Sequence, residues 1–192
     1  KSLEKVTFQH KLGSVADKVK RIVTLSEKIA DKIHADKELA RRAAILCKAD
    51  LMTQMVKEFP ELQGVMGYYY AKAESETESV ALGIREHYWP RYAGDSLPKT
   101  PIGCVLALAD RWDTLNAIIQ LQGPPSGEKD PFGLRRAALG IIRMVTEKEL
   151  SAIHLSDFSH EIDHQFILDR LPGYYQENGY NLDALQDVLE VE

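Results

Sequence analysis

Apolar residues recur every three or four positions along most of the chain, which is the spacing of an amphipathic helix. The clearest example follows Ser14, which forms a capping-box pattern with Asp17 and opens an apolar stripe that runs from Val15 to Ile33. No segment shows the alternation of Val, Ile and Thr positions that a half-buried strand has. The pattern therefore predicts an all-α fold.

Further helices are predicted where a capping residue or a proline opens an apolar stripe and a glycine or a proline closes it. Thr100 and Asp130 give the strongest start signals, because each is a good N-cap followed by a proline at the first helical position. The predicted helices after the first cover residues 36–56, 76–88, 102–121, 132–150 and 156–171, and another begins at Asn181.

The composition is that of a globular protein, with 192 residues of which 44% are apolar and 28% are charged. The net charge of −5 argues against a generic basic nucleic-acid-binding domain, but the charge is unevenly distributed. Residues 1–150 hold 23 basic and 20 acidic side chains, whereas residues 151–192 hold one and nine. We therefore divide the chain into a helical domain over 1–150 and an acidic helical extension over 151–192.

Cellular location is indicated by cysteine usage and by the lack of long apolar runs. Cys47 and Cys104 lie inside apolar helical patterns, as reduced buried thiols of a cytoplasmic protein do. No run approaches the roughly 18 apolar residues that a membrane helix needs, so no membrane association is expected. The chain begins with Lys1 and its last predicted helix still continues at Glu192, which suggests a part of a longer protein.

The segment HEIDH, residues 160–164, matches the zinc motif H-E-x-x-H, in which two histidines one helical turn apart bind the metal. Against a zinc site, Asp163 adds a charge inside the motif, and few residues follow that could supply a third ligand. The alternative is a polar helix face in contact with solvent, which we favour.

Carboxylates within apolar helical stripes form a second candidate site. Asp50 lies at the edge of such a stripe, and Asp110 and Asp113 lie in LALADRWDTL. A buried carboxylate is costly unless it is paired or bound to a metal. One interpretation is a metal-dependent phosphohydrolase of the helical HD type, in which Asp50, Asp110 and a histidine such as His34 or His87 hold a divalent ion.

The other interpretation is a degenerate, metal-free site of the same type. The helix that would supply a His-Asp pair reads LCKADL, with Lys48 near the place of the histidine, and Lys18 stands where the first helix would offer a ligand. A lysine beside a carboxylate, as in a Lys48–Asp50 pair, replaces the charge of the metal. We favour this interpretation, with Lys18, Lys48, Asp50 and Asp110 as the degenerate site.

A third candidate is KDPFGLRRAALGIIR, residues 129–143, where Arg136, Gly140 and Arg143 fall on one helix face. Glycine inside a helix costs roughly 0.5–1 kcal/mol relative to alanine, so it suits a point where a backbone or a ligand comes close. Arginine forks suit phosphates, although pairing with acidic neighbours is an equal alternative. The candidate phosphate-binding residues are Arg91, Lys129, Arg135, Arg136 and Arg143.

Five segments resemble, in order, the bacterial glycyl-tRNA synthetase β subunit family. They are KVTFQHKLGSVADKVKRI (5–22), RAAILCKADLMTQMVKEFPELQGVMGYYYA (42–71), REHYWPRYAGDSLP (85–98), LALADRWDTL (106–115) and KDPFGLRRAALGIIR (129–143). The resemblance weakens after about residue 150.

The resemblance implies an HD-like helical bundle that has lost most of its metal ligands, followed by the start of a helical body segment. In this family an α subunit carries the aminoacylation site and uses ATP with magnesium, and the β subunit binds tRNA within an α2β2 enzyme. This chain would then have no catalytic residue and no cofactor of its own. Its partners would be tRNA-Gly, through the acceptor arm, the α subunit and the rest of the β subunit. The alternatives are the metal-dependent phosphohydrolase and a purely structural spacer.

Overall fold

The computed structural model describes residues 3–125 and 129–180. It opens with a 3-10 turn over Leu3–Lys5 and a short antiparallel pair formed by β1 (Thr7–Gln9) and β2 (Gly13–Ser14). Everything else with regular structure in the described ranges is helical. The predicted all-α class is therefore confirmed, with this small hairpin as the addition that the sequence pattern did not indicate.

The α-helices surround one long central helix. They are α1 (Val15–Lys32), α2 (Lys37–Leu46), α3 (Gln54–Glu58), α4 (Val65–Ala73), α5 (Glu78–Glu86), α6 (Pro101–Gln122), α7 (Leu134–Glu147), α8 (Glu161–Leu168) and α9 (Leu171–Glu177). Further 3-10 turns cover Ala49–Met52, Pro60–Leu62 and Leu155–Asp157.

Helices α1 and α6 begin where their caps predict. The Ser14 hydroxyl accepts from the Asp17 N–H at 3.2 Å, and the Asp17 carboxylate accepts from the Ser14 N–H at 3.1 Å, which completes the capping box. The Thr100 hydroxyl caps α6 by accepting from the Gly103 N–H at 3.0 Å, and Pro101 lies in the first turn of this helix. Both start signals are local in sequence, which is why they could be recognised in advance.

The helix predicted over residues 36–56 is wrong in its length. Its apolar stripe continues, but the structure divides it into α2, the 3-10 turn over Ala49–Met52 and α3. The division occurs where the Asp50 carboxylate turns toward Gly64 and Gly67. It accepts hydrogen bonds from the N–H groups of both residues. A contact with residues 14 and 17 positions away thus overrides the local helical pattern.

The later helices also differ from prediction at their starts. Asp130 caps α7 from outside the helix, accepting from the N–H groups of Leu134 and Arg135, while Gly133 takes the N-cap position with φ 66°. The predicted helix over 156–171 is divided into a 3-10 turn, α8 and the start of α9, and His160 rather than Ser156 precedes α8. The predicted helix at Asn181 lies outside the described residues.

The core is built around α6, whose residues 102–109 are buried on every face. Helices α1, α2, α5 and α7 pack against it. Residues after 150 join the same core through Phe158, Phe166 and Tyr174, and the Trp112 indole donates to Ser159 Oγ at 3.1 Å. The domain boundary at residue 150 stays a prediction.

Both cysteines are buried, unpaired thiols. Burial raises the pKa of Cys47 to about 12 and that of Cys104 to about 11, so both are neutral at physiological pH. Among the described helices, none is both long and apolar enough to span a membrane.

Candidate functional site

A buried cluster of lysines and aspartates connects α1, the residues after α2, and α6. The Lys18 ammonium lies 2.9 Å from Asp110 Oδ1 and donates to Asp113 Oδ2 at 3.0 Å and to Thr114 Oγ1 at 2.7 Å. Arg21, one turn further along α1, donates to Asp113 Oδ1 at 2.5 Å. These contacts hold the middle of α6 against α1 by charge as well as by packing.

Lys48 reaches the same carboxylate from the other side. Its ammonium donates to Asp110 Oδ2 at 2.8 Å and to His87 Nε2 at 2.9 Å, and it lies 4.1 Å from the centre of the Tyr88 ring. The other ring nitrogen of His87 lies 2.6 Å from the Ile84 carbonyl, to which it must donate. His87 Nε2 is then left as the acceptor for Lys48.

Burial and neighbouring charges together set the pKa values of Asp110, Lys48 and His87. Burial alone would raise the pKa of Asp110, but the charges of Lys18 and Lys48 outweigh it and hold that pKa well below its usual range. Burial would likewise lower the pKa of Lys48, yet Asp110 keeps it above its ordinary value. Burial and the charge of Lys48 lower the pKa of His87 to about 3. At neutral pH Lys48 is charged, Asp110 is ionised and His87 is neutral.

The residues of this cluster do not fit a divalent metal. Ammonium groups occupy both sides of Asp110, and both nitrogens of His87 are already hydrogen bonded. His34 lies exposed in a turn after α1. In the described part of the chain, no group of three or more histidines, cysteines and acidic residues is arranged to hold a metal ion.

Asp50 does not join this cluster. It is 2% exposed, and its Oδ2 accepts from the N–H groups of Gly64 at 2.7 Å and Gly67 at 3.2 Å, at the start of α4. The expected Lys48–Asp50 pair is therefore wrong, because Lys48 pairs with Asp110 instead. Burial raises the pKa of Asp50 in spite of these hydrogen bonds. Asp50 is a helix cap supplied from a distant part of the chain.

The two glycines of this cap have steric reasons for being glycine. Gly64 has φ 76°, and a Cβ there would lie 2.7 Å from the Tyr88 ring. A Cβ on Gly67 would lie 2.6 Å from Ile84 and 3.1 Å from Asp50 Oδ2. The motif QGVMG at residues 63–67 thus follows from the close approach of Asp50 and α5.

Arg111 is a half-buried cation that binds main-chain carbonyls. Its two terminal nitrogens donate to the carbonyls of His87, Tyr88, Pro90 and Ala107 at 2.8–3.2 Å. Burial lowers the pKa of Arg111 to about 10, so it is still charged at neutral pH. A Cβ on Gly140 would lie 2.6 Å from Arg111 Nε. The glycine that the sequence suggested as a point of close approach therefore accommodates Arg111.

A cleft of about 340 Å³ opens beside this cluster, between α6, the start of α7 and the turn after α5. Asp110 and Thr114 of the cluster reach it, and Arg111 lines it. Its remaining lining residues are His87, Tyr88, Pro90, Arg91, Phe132, Gly133, Arg136 and Ala137. Two of the five basic residues singled out in the sequence therefore lie at this cleft.

Those five basic residues differ in their surroundings. Arg136 and Lys129 are exposed, and no described residue forms an ion pair with the Arg136 guanidinium. Arg143 is only 19% exposed and binds Glu147 and the Asp95 carbonyl. The remaining two candidates also have partners: Arg91 is paired with Asp95 and Arg135 donates to the Pro125 carbonyl.

The HEIDH segment lies at the start of α8, which begins at Glu161, so His160 is the N-cap residue. His160 and Ile162 are exposed, as a face in contact with solvent would be, but Asp163 is buried and accepts from the His160 N–H at 3.4 Å. The interpretation of HEIDH as a face in contact with solvent is therefore wrong at Asp163, which the fold buries beside the start of α8.

Sequence reasoning did not identify Arg21 or Arg111, and it considered His87 as a metal ligand and not as a hydrogen-bond partner of Lys48. One signal was available: residues 102–109 are apolar on every helical face, which predicts a central helix. Charges in the next turn of a central helix need buried partners. The identity of those partners, up to 95 residues away, could not be read from the pattern.

Together the fold and the cluster define an all-α protein with a buried ion-pair network beside a basic cleft. The chain belongs to the family described as glycyl-tRNA synthetase beta subunit, which matches residues 1–190. It is 45% identical to the glycine–tRNA ligase beta subunit of Pseudoalteromonas translucida, covering 98% of this chain and 30% of the relative. It is 46% identical to the glycine–tRNA ligase beta subunit of Photorhabdus laumondii and 44% identical to that of Escherichia coli O1:K1. Each of these alignments covers 97% of this chain and 29% of the relative. The chain thus spans less than a third of the length of these relatives.

Proposed function

We propose that this chain is a tRNA-contacting, HD-like region of a glycine–tRNA ligase β subunit. It acts on the acceptor arm of tRNA-Gly, where basic side chains position phosphates without reading the base sequence. Family membership supports the proposal, and so does the exposed guanidinium of Arg136 beside the basic cleft, which has no ion-pair partner among the described residues.

The complete enzyme, in this proposal, is a cytoplasmic α2β2 ligase that attaches glycine to tRNA-Gly. Its α subunit uses ATP with magnesium, and this chain adds no catalytic residue and no cofactor. The ammonium groups of Lys18 and Lys48 take the place of the metal in the degenerate HD-like site, with Asp110 as the remaining ligand-like position. The fourth residue proposed for that site, Asp50, has become a helix cap.

The contacts rank the five phosphate-binding candidates. Arg136 and Lys129 can meet a phosphate without losing an existing ion pair. Arg143 and Arg91 would first have to leave Glu147 and Asp95, and Arg135 already binds a main-chain carbonyl. We therefore expect Arg136 and Lys129 to contribute more to tRNA binding than the other three.

The experiment is tRNA-Gly binding by this chain as a function of salt concentration. Each phosphate contact that is lost reduces the slope of log K against log salt by about 1. Arg136→Ala and Lys129→Ala should weaken binding and reduce the slope, whereas Arg41→Ala, an exposed arginine of α2, should not. Slopes that are unchanged in both the Arg136 and the Lys129 variant would remove this surface from the proposal.

The structure argues against the metal-dependent phosphohydrolase, because Asp50, Asp110 and the two histidines do not converge as ligands. A structural spacer remains the competing function. In that case Arg136→Glu would leave glycylation by the reconstituted α and β subunits intact, whereas the proposal expects a lower kcat/KM for tRNA.

A further inference from the structure

The cluster and the cleft together hold more positive than negative charge. Four buried or half-buried cations meet there, and they are Lys18, Arg21, Lys48 and Arg111. In the described part of the chain, Asp110 and Asp113 oppose them in direct contact, and Arg21 and Asp113 line a separate cavity. The neutral form of His87 adds nothing, because its pKa is lowered to about 3.

Two neighbouring carboxylates, those of Asp50 and Glu86, lie outside the lining of the cleft. They accept from main-chain N–H groups at the starts of α4 and α6. Burial raises the pKa of Tyr88 to about 12, so its phenol is neutral. Among the described residues that line the cleft, Arg91 is paired with Asp95 and Asp110 with two lysines, so the two positive charges of Arg111 and Arg136 are the ones that attract an anion.

The lining of the cleft adds a donor and an apolar wall. Arg136 lies at the opening with no ion-pair partner among the described residues, so its forked N–H groups can bind an anion. The Arg111 N–H groups are engaged with carbonyls, so Arg111 contributes its charge. Phe132 is 38% exposed at the same cleft and offers an aromatic face for stacking. Asp110 also lines the cleft, but two lysines neutralise it.

We infer that this cleft is a binding site for a terminal phosphate monoester of RNA, with the adjoining base against Phe132. A monoester carries a charge of about −1.5 to −2 at neutral pH, which matches the excess, whereas an internal phosphodiester carries half as much. The volume of about 340 Å³ lies in the range of small-ligand sites. RNA as the source of the phosphate rests on the proposed function, in which the acceptor arm presents a phosphorylated 5′ end.

The test compares two acceptor-stem RNA duplexes that are identical except for a 5′-phosphate or a 5′-hydroxyl. A charge-assisted hydrogen bond to the phosphate should make the phosphorylated duplex bind this chain about tenfold more tightly. Arg136→Gln should reduce that preference to less than about twofold. Arg41→Gln removes the same charge outside the cleft and should leave the preference unchanged.

Each outcome decides the inference. Equal affinity for the two duplexes in the unsubstituted chain overturns it, and so does a preference that survives Arg136→Gln. If tRNA binding and its salt dependence still respond to Arg136→Ala, the proposed function stands while this inference fails.

A second probe covers the case in which neither duplex binds. A nucleoside 5′-monophosphate should then bind more tightly than its nucleoside, and Arg136→Gln should abolish the difference. Equal binding of nucleotide and nucleoside overturns the inference. Competition by a phosphoserine peptide as strong as that by the nucleotide would assign the cleft to phosphoproteins and would also overturn it.

Discussion

Substitution of Asp110 by Asn tests whether the lysine–aspartate cluster stabilises the fold by charge. The amide has nearly the same shape as the carboxylate and can still accept a hydrogen bond from Lys48, but it carries no charge. Lys18 keeps Asp113 at 3.0 Å as a counter-ion. Lys48 keeps only neutral partners, namely His87 and the ring of Tyr88.

The expected cost follows from burial. The side chain of Lys48 is 6% exposed and that of Asp110 is 16% exposed, so solvent screens their interaction poorly. Removing one partner of a buried pair typically costs about 3–5 kcal/mol, because the other charge is left uncompensated. We expect Asp110→Asn to lower the free energy of unfolding by about 3 kcal/mol, toward the lower end, because one hydrogen bond survives.

Asp50→Asn provides a matched control, since it makes the same chemical change at another buried carboxylate. Asp50 accepts only main-chain N–H groups, and an amide oxygen can accept them too. Burial raises its pKa, which means that the folded chain disfavours the ionised form, so loss of the charge removes no stabilising interaction. Urea unfolding followed by circular dichroism should show a loss below about 1 kcal/mol for this variant.

A double-mutant cycle with Lys48→Met isolates the pair. Removing both charges should be less harmful than the sum of the single changes, with a coupling energy of about 2 kcal/mol. A loss for Asp110→Asn no larger than that for Asp50→Asn, or a coupling energy near zero, would refute the argument that opposite charges hold α6 against the residues after α2.

Two further outcomes follow from the same region. His87 has a pKa of about 3 when folded and an ordinary value near 6.5 when unfolded, so the unfolded state binds more protons between these values and stability falls with decreasing pH. The loss should be about 2 kcal/mol between pH 7 and pH 5, and His87→Gln should flatten urea midpoints measured across that window. Gly140→Ala should destabilise by about 1–3 kcal/mol although alanine favours helices, because its Cβ would meet Arg111, whereas Gly173→Ala has open space around it and should not. A flat pH profile in the unsubstituted chain, or equal melting temperatures for the two glycine variants, would contradict these expectations.

The predictable part of the fold is the part that local chemistry determines. Ser14 and Thr100 begin α1 and α6 because each capping hydroxyl accepts from a main-chain N–H only three residues further along the chain. The apolar stripes around them could be read from the sequence for the same reason. The prediction of one helix over 36–56 is wrong because Asp50 binds main-chain groups that are distant in sequence but close in space.

The candidate site shows the same limit. Sequence reasoning identified Lys18, Lys48 and Asp110 as members of a degenerate site, and the structure brings them together. It also assigned Asp50 to this site, because Lys48 and Asp50 were expected to lie close together in one helix. The helix ends before these residues, so that expectation does not hold. Sequence reasoning also recognised Gly140 as a point of close approach, but only the fold shows that Arg111 is the group that approaches.

The carboxylates inside this fold form two groups that differ in what compensates their charge. Where a carboxylate faces main-chain N–H groups, as Asp50 and Glu86 do, it caps a helix and needs no cation. Where carboxylates lie in the middle of a central helix, as Asp110 and Asp113 do, the N–H groups are already used within the helix, so only a cation can compensate them. Because a lysine brings its own charge into the fold, this compensation is part of the folded chain itself. Arg111 and Arg136, which line the adjoining cleft, form no ion pair with these carboxylates, so the inferred anion site depends on those two arginines.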